Sequence, residues 1–126
     1  MNEDRLKVAH IDDDDDLRAI VRLALQSTAG CDVQSLGSGR AALELLPAFQ
    51  PDVILVDMLM PGMDGVETVS ALRELMDLSH VSVVFATGSD EDEWLRRVQG
   101  LGQVDIIRKP FDAYRLAERL HDIRLR

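Results

Sequence analysis

Four short apolar runs in this 126-residue chain each end in a residue suited to phosphate or metal chemistry. Lys7-Val8-Ala9-His10-Ile11 runs into Asp12 and Asp13, and Val53-Ile54-Leu55-Val56 runs into Asp57. Val83-Val84-Phe85-Ala86 runs into Thr87, and Asp105-Ile106-Ile107 leads through Arg108 to Lys109 and Pro110. If the runs are parallel strands, three carboxylates, a hydroxyl and an ammonium meet at one edge of one sheet. Two carboxylates about 4 Å apart repel by roughly 4 kcal/mol at an effective dielectric of 20. Such a cluster must hold protons or a cation. Oxygen ligands with no nearby Cys favour Mg²⁺, with Mn²⁺ as a substitute. Asp57 then has two candidate roles, as a metal ligand or as a nucleophile that holds a phosphoryl group as an acyl phosphate. Mg²⁺, Lys109 and backbone N–H groups would neutralise the transferred oxygens. Thr87 would supply a neutral donor, unless it is a core threonine bonded to backbone.

The elements that must position these residues alternate between strand-like and helix-like patterns. Leu17, Ile20, Val21, Ala24 and Leu25 recur at helical spacing, and Gly30 stops that helix. Asp32 to Leu36 alternates like a strand nearer an edge. Ser38 caps a short helix through Leu46, and Pro47 ends it or begins the following loop. Met60-Pro61-Gly62-Met63-Asp64-Gly65 reads as a loop, followed by a helix over roughly Val66 to Met76. Ser89 and Asp90 open an acidic first turn, and that helix runs to about Gly100 with Leu95 and Val98 inward. Asp112 caps a last helix whose Leu116, Leu120 and Ile123 face the core. Strands alternating with helices of about ten residues imply right-handed βαβ units and a parallel sheet. The expected fold is α/β: five parallel strands in the order 2-1-3-4-5, doubly wound with five helices, flavodoxin-like. The strand order reverses between strands 1 and 3, and ligands bind beyond the carboxyl ends there.

Composition narrows the class further. Asp and Glu number 23 against 14 Lys and Arg, a net charge of -9. A surface this acidic repels nucleic acid. Lone Cys31 cannot form an internal disulfide, which fits a reducing cytoplasm. The polar start carries no signal-peptide pattern, and no apolar run nears the roughly 18 residues of a membrane span. A single cytoplasmic domain over residues 1–126 is expected, with its core at about 7–120 and Met1 as the authentic amino terminus.

Within the run Asp12 to Asp16, residues 14–16 read as a solvated first helical turn. Asp12 and Asp13 would face opposite ways if the strand persists, so one alone points directly at Asp57. Asp13 is taken as the direct metal ligand and Asp12 as a ligand through water. His10 reads as a packed core residue directed away from the crevice, and Met58, Met60 and Met63 as loop packing. Trp94 is expected at the margin of its helix, half-buried or anchoring a partner.

These pieces resemble the receiver domain of two-component response regulators. The resemblance runs from Lys7 to about Leu120. It rests on His10-Ile11-Asp12-Asp13-Asp14, Val56 through Gly65, Ala86-Thr87-Gly88, and Asp105 through Phe111, all in order and at family spacing. It implies that Asp57 accepts phosphate from the phosphohistidine of a sensor histidine kinase or histidine phosphotransfer protein. It implies that Asp12, Asp13, Asp57 and the backbone carbonyl of Leu59 organise Mg²⁺, that Thr87 and Lys109 read the phosphoryl group, and that the Lys109–Pro110 bond is cis. A downstream effector or output domain follows from the same resemblance, with a phosphorylation-dependent dimer as one form of response.

Two departures bear on mechanism. Family members often carry Tyr or Phe at the position of Ile106, whose ring swings inward as the threonine moves. Ile106 has no ring, so the signal is expected to travel through the loop after Thr87 and the helix it starts. Leu59 flanks the site without a polar atom and cannot position an attacking water, which points to a persistent acyl phosphate unless Ser89 serves instead. A Mg²⁺-dependent phosphohydrolase with an aspartyl nucleophile is the rival reading, but it wants an acid where Leu59 stands. A binding scaffold that takes no phosphate is the third.

Overall fold

The computed structural model describes residues 5–88 and 91–124, apart from the side chains at 28, 29, 91–94 and 124. Ser89, Asp90 and the side chain of Trp94, all weighed above, lie outside that description. Five strands, β1 (Lys7–Ile11), β2 (Asp32–Leu36), β3 (Val53–Asp57), β4 (Ser82–Thr87) and β5 (Asp105–Arg108), alternate with five helices. The helices are α1 (Asp15–Ala29), α2 (Gly39–Phe49), α3 (Gly65–Leu75), α4 (Glu91–Val98) and α5 (Ala113–Arg124). All strand pairs are parallel, in the order 2-1-3-4-5.

The central strands β1, β3 and β4 are buried on both faces, the usual condition of a parallel sheet covered by helices, while the edge strands β2 and β5 are partly exposed. Side chains alternate across β1: Ala9 and Ile11 join one core cluster with Leu46, Val69 and Leu72 from α2 and α3. Val8 joins the other, with Val21, Leu25, Leu116 and Leu120 from α1 and α5. All five residues of β3 are buried, which places it at the centre as its unbroken apolar run requires.

Helix ends follow the capping chemistry of their sequences. Asp14, rather than a member of the first turn, is the N-cap of α1: its carboxylate accepts from the N–H groups of Asp16 and Leu17. Gly30 closes that helix at φ 63°. Ser38 caps α2 through the Ala41 N–H. Asp64 and Glu67 form a reciprocal capping box on α3. Asp112 caps α5 through the Tyr114 N–H.

Two local expectations fail. Helix α2 does not stop at Pro47 but continues to Phe49. Pro47 falls in the last turn, where its missing N–H costs a single helical bond. Phe49 packs against the core and lies under the Lys7 ammonium, 4.9 Å from ring centre to Nζ, and Gln50 closes the turn in a left-handed conformation. Leu95 is 42% exposed and does not pair inward with Val98. Leu101 takes that place, from a 3-10 turn (Gln99–Leu101) that continues α4 and carries the apolar stripe one turn further.

Candidate functional site

Registration of the strands brings their terminal residues to one edge. Ile11 lies opposite Val56, Asp57 opposite Ala86, and Thr87 opposite Arg108, so residues 12, 57, 87 and 109 all emerge at the carboxyl ends. Strand β1 stops at Ile11. The alternation that a longer strand would impose on Asp12 and Asp13 therefore does not apply, and both join Asp57: one carboxylate oxygen from each lies within 4.8 Å of the others. Asp12 and Asp57 are buried while Asp13 is exposed. The cluster is open to solvent on the Asp13 side.

Lys109 reaches into the cluster from the end of β5. Its Nζ donates to Asp12 Oδ2 at 2.7 Å and stands 3.3 Å from Asp57 Oδ1. Burial lowers the Lys109 pKa, but bonds and charge from Asp12 and Asp57 outweigh it, and the net shift is upward. Asp57 is also shifted up. Burial is the largest cause and the neighbouring Asp12 charge the next, against opposing help from Lys109 and the Leu59 backbone N–H. An ionised Asp57 is thus short of positive charge even with Lys109 beside it.

The other expected residues are placed as follows. Thr87 is buried at the end of β4, and its carbonyl accepts the Lys109 N–H at 2.9 Å. The Leu59 side chain is 57% exposed at the rim, and its backbone faces Asp57 through the N–H. Gly65 packs directly beneath: a Cβ there would sit 2.4 Å from the Asp57 carbonyl oxygen, so only glycine lets α3 start against the strand end. Met58 and Met60 are core residues, as loop packing requires. The Lys109–Pro110 bond is cis.

His10 is buried as expected, but it does not point away. It shares the face of Asp12, and its Nε2 lies 3.9 Å from Asp12 Oδ2. Burial pushes the imidazole down from 6.5 to about 4; Asp12 pulls it upward, and Lys109 and Arg18 push it further down. Its Nδ1 is buried without a partner, as is the hydroxyl oxygen of Ser35 opposite it on β2. The sign of the linkage follows. The unfolded chain binds a proton here that the folded chain refuses, so stability falls as pH drops from about 6.5 and the loss is complete below about 4, worth about 3 kcal/mol. In His10→Val this loss should vanish. Chemical denaturation of both proteins in Mg²⁺-free buffer should show wild type losing ground to the variant on acidification; parallel pH profiles would contradict it.

Two arginines were not legible as site neighbours. Arg18, six residues after Asp12, donates from Nη1 to the Asp12 carbonyl at 2.6 Å. Arg97 of α4 pairs with Asp64 Oδ2 at 2.9 Å and so ties that helix to the cap of α3. Helical spacing could have placed Arg18 over the turn it contacts, while nothing local announces a contact between residues 64 and 97.

Comparison with known proteins agrees with this geometry. The family model of the response regulator receiver domain matches residues 8–121. The transcriptional regulatory protein CseB of Streptomyces coelicolor is 34% identical over 122 residues, 95% of this chain and 50% of that protein. CseB of Streptomyces avermitilis is 34% identical over 118 residues, 92% of this chain and 48% of its own. Among solved structures, the Vibrio cholerae chemotaxis protein CheY4 gives a TM-score of 0.87 at 29% identity, covering 94% of this chain and 98% of that one. The chain spans about half or less of the length of the curated relatives it matches. No helix among the described residues is long and apolar enough to cross a membrane. The family match takes in every strand residue but Lys7 and every helix but for the last three residues of α5, so the chain belongs to the response regulator receiver domains, a phosphoacceptor signalling family whose phosphorylation site its acidic cluster fits.

Proposed function

We propose that Asp57 receives a phosphoryl group from the phosphohistidine of a sensor histidine kinase or histidine phosphotransfer protein. A carboxylate oxygen of Asp57 attacks phosphorus, the P–N bond to the donor imidazole breaks, and an acyl phosphate remains on this chain. The observation that carries the reading is the convergence of Asp12, Asp13, Asp57 and Lys109 at the point where the strand order reverses.

The donor set fits Mg²⁺, with Mn²⁺ able to substitute. It is all oxygen, it carries surplus negative charge, and it opens to water beside Asp13. Asp13, Asp57 and the Leu59 carbonyl would hold the ion directly. Asp12 would do so through water, because Oδ1 already accepts from the Asp14 N–H at 3.0 Å and Oδ2 from Lys109. A bound divalent ion supplies charge neutralisation for the transferred oxygens. Lys109 adds its own positive charge from the opposite side, and Thr87 a neutral hydroxyl at the end of the neighbouring strand.

With Ile106 in place of an aromatic ring, the response passes through the loop after Thr87 and α4. The Arg97–Asp64 pair supports this, since it links α4 to the segment that follows Asp57. Residues 1–126 act as one receiver unit in the cytoplasm, and an effector or output domain reads the altered population. Pairing of two phosphorylated copies is one form that readout takes.

Leu59 makes the phosphoryl group long-lived, because an exposed leucine at the rim cannot orient water. Leu59→Glu should speed its loss by about tenfold, less than the roughly hundredfold of a well-placed general base. Following the decay of phosphorylated protein after donor removal checks this; equal lifetimes in both proteins would sink it. The wider reading is tested by incubation with acetyl phosphate and Mg²⁺. Uptake of one phosphoryl group per chain supports it, steady turnover of phosphate esters supports the hydrolase, and no uptake supports the scaffold.

A further inference from the structure

We propose that Arg18 is a positioning residue for the divalent cation: its guanidinium fixes the turn that presents Asp13 beside Asp57. The inference rests on the reading of the acidic cluster as a Mg²⁺ site. Between β1 and α1 the chain has three residues, Asp12, Asp13 and Asp14, in which to turn. Asp12 is held from every side. Its N–H donates to the Leu36 carbonyl at 3.0 Å, its Oδ1 accepts the Asp14 N–H, its Oδ2 accepts Lys109, and its carbonyl accepts Arg18 Nη1 at 2.6 Å. That carbonyl lies beyond the last residue of the strand, so the ladder does not claim it. Arg18 Nη2 pairs at the same time with Asp15 Oδ1. The planar fork therefore joins the strand end to the first turn of α1, with Asp13 between the two tethered points. A lysine has the charge but not the fork.

The β2–α2 connection is shaped around the same guanidinium. A Cβ on Gly37 would lie 3.2 Å from Arg18 Nη1 and 3.5 Å from Cζ. All three of its nearest atoms belong to Arg18, so a side chain there presses on the fork and moves it by a few tenths of an ångström.

Charge and position make opposite predictions. Arg18 is a cation near a cation site, so on Coulomb grounds alone its removal tightens Mg²⁺ binding. If its task is to hold the turn, removal weakens binding, by about tenfold at the lower end of what outer partners of metal ligands contribute. Mg²⁺ affinity of the unphosphorylated protein, measured by isothermal titration calorimetry, reads the sign directly.

Arg18→Met and Arg18→Lys should both bind Mg²⁺ more weakly than wild type, the lysine variant included although its charge is kept. Gly37→Ala should weaken binding in the wild-type background and have no further effect in Arg18→Met, a non-additivity expected when one residue acts through the other. The Gly37 variant also serves should Arg18→Met fail to fold. Unchanged or tighter binding in the Arg18 variants, or an equal effect of Gly37→Ala in both backgrounds, overturns the inference. Absence of Mg²⁺ binding by the wild-type protein overturns instead the reading of the cluster on which it rests.

Discussion

Asp57→Asn should abolish phosphoryl uptake and, in Mg²⁺-free buffer, raise the melting temperature. The first effect follows from loss of the nucleophile: an amide oxygen does not form the acyl phosphate. Uptake should fall by at least about a thousandfold, given that losing a catalytic nucleophile costs up to about 10⁶ elsewhere. The second effect follows from the pocket. Burial and the Asp12 charge raise the Asp57 pKa, so the folded state holds this proton more tightly than the unfolded chain. Stability is therefore given up as pH rises above the ordinary carboxylate range and the group ionises. Asparagine keeps the shape without the charge, and the melting temperature should rise by about 3 °C, the scale of a change near 1 kcal/mol. The gain should disappear when Mg²⁺ is added, because the ion relieves the wild-type protein of the same repulsion. Thermal melts of both proteins with and without Mg²⁺ check all three signs.

Lys109→Met should destabilise the protein by about 2–4 kcal/mol in the absence of Mg²⁺, since it strands a buried carboxylate whose partner is gone. Asp12 Oδ2 loses its 2.7 Å contact, and Asp57 loses the nearest cation. The Met side chain keeps most of the apolar stem, so packing contributes little to the loss. Because the penalty comes from ionised aspartates, it should shrink as the pH falls through the carboxylate range, and Mg²⁺ should recover part of it at neutral pH. Denaturant midpoints across pH, with and without Mg²⁺, provide the test; a penalty independent of both pH and metal would mean that Lys109 acts by packing alone.

Most of the architecture was legible because a parallel sheet covered on both faces leaves a strong trace. Val53 to Val56, Val83 to Ala86 and Val8 to Ile11 are nearly continuous apolar runs, and each breaks at the carboxyl end of its strand. A polar residue following such a run lands at the carboxyl edge whatever its identity, which is why the sequence alone gathers Asp57, Thr87 and Lys109 there. What failed depended on where elements end rather than on what they are. Five consecutive aspartates carry no periodicity, so nothing marked Asp14 as the cap or showed how the chain turns after Ile11. Carrying strand alternation past Ile11 assigns Asp12 and Asp13 to opposite sides. With Asp13 taken as the inward residue, His10 was turned away from the crevice, whereas the turn after Ile11 brings Asp12 into the cluster with His10 3.9 Å from it.

Packing overrode local propensity in two further places. Pro47 is a helix breaker by type, yet Phe49 gains enough by packing on the core to draw the last turn onward. Leu95 is apolar by type but yields the buried position to Leu101, because α4 tightens into a 3-10 turn before β5. Arg18 and Arg97 were missed for a different reason. Long flexible side chains act several ångströms from their own backbone: helical spacing puts Arg18 near the turn whose carbonyl it serves without naming that group, and the Asp64 carboxylate meets Arg97 only once the chain is folded.

Peptide mapping by mass spectrometry, after brief exposure to acetyl phosphate and Mg²⁺, reads the claim that matters most. One phosphoryl group on residue 57, absent when the metal is chelated, is the expected outcome. Phosphate on any other residue, or on Asp57 to the same extent without a divalent ion, would contradict the account.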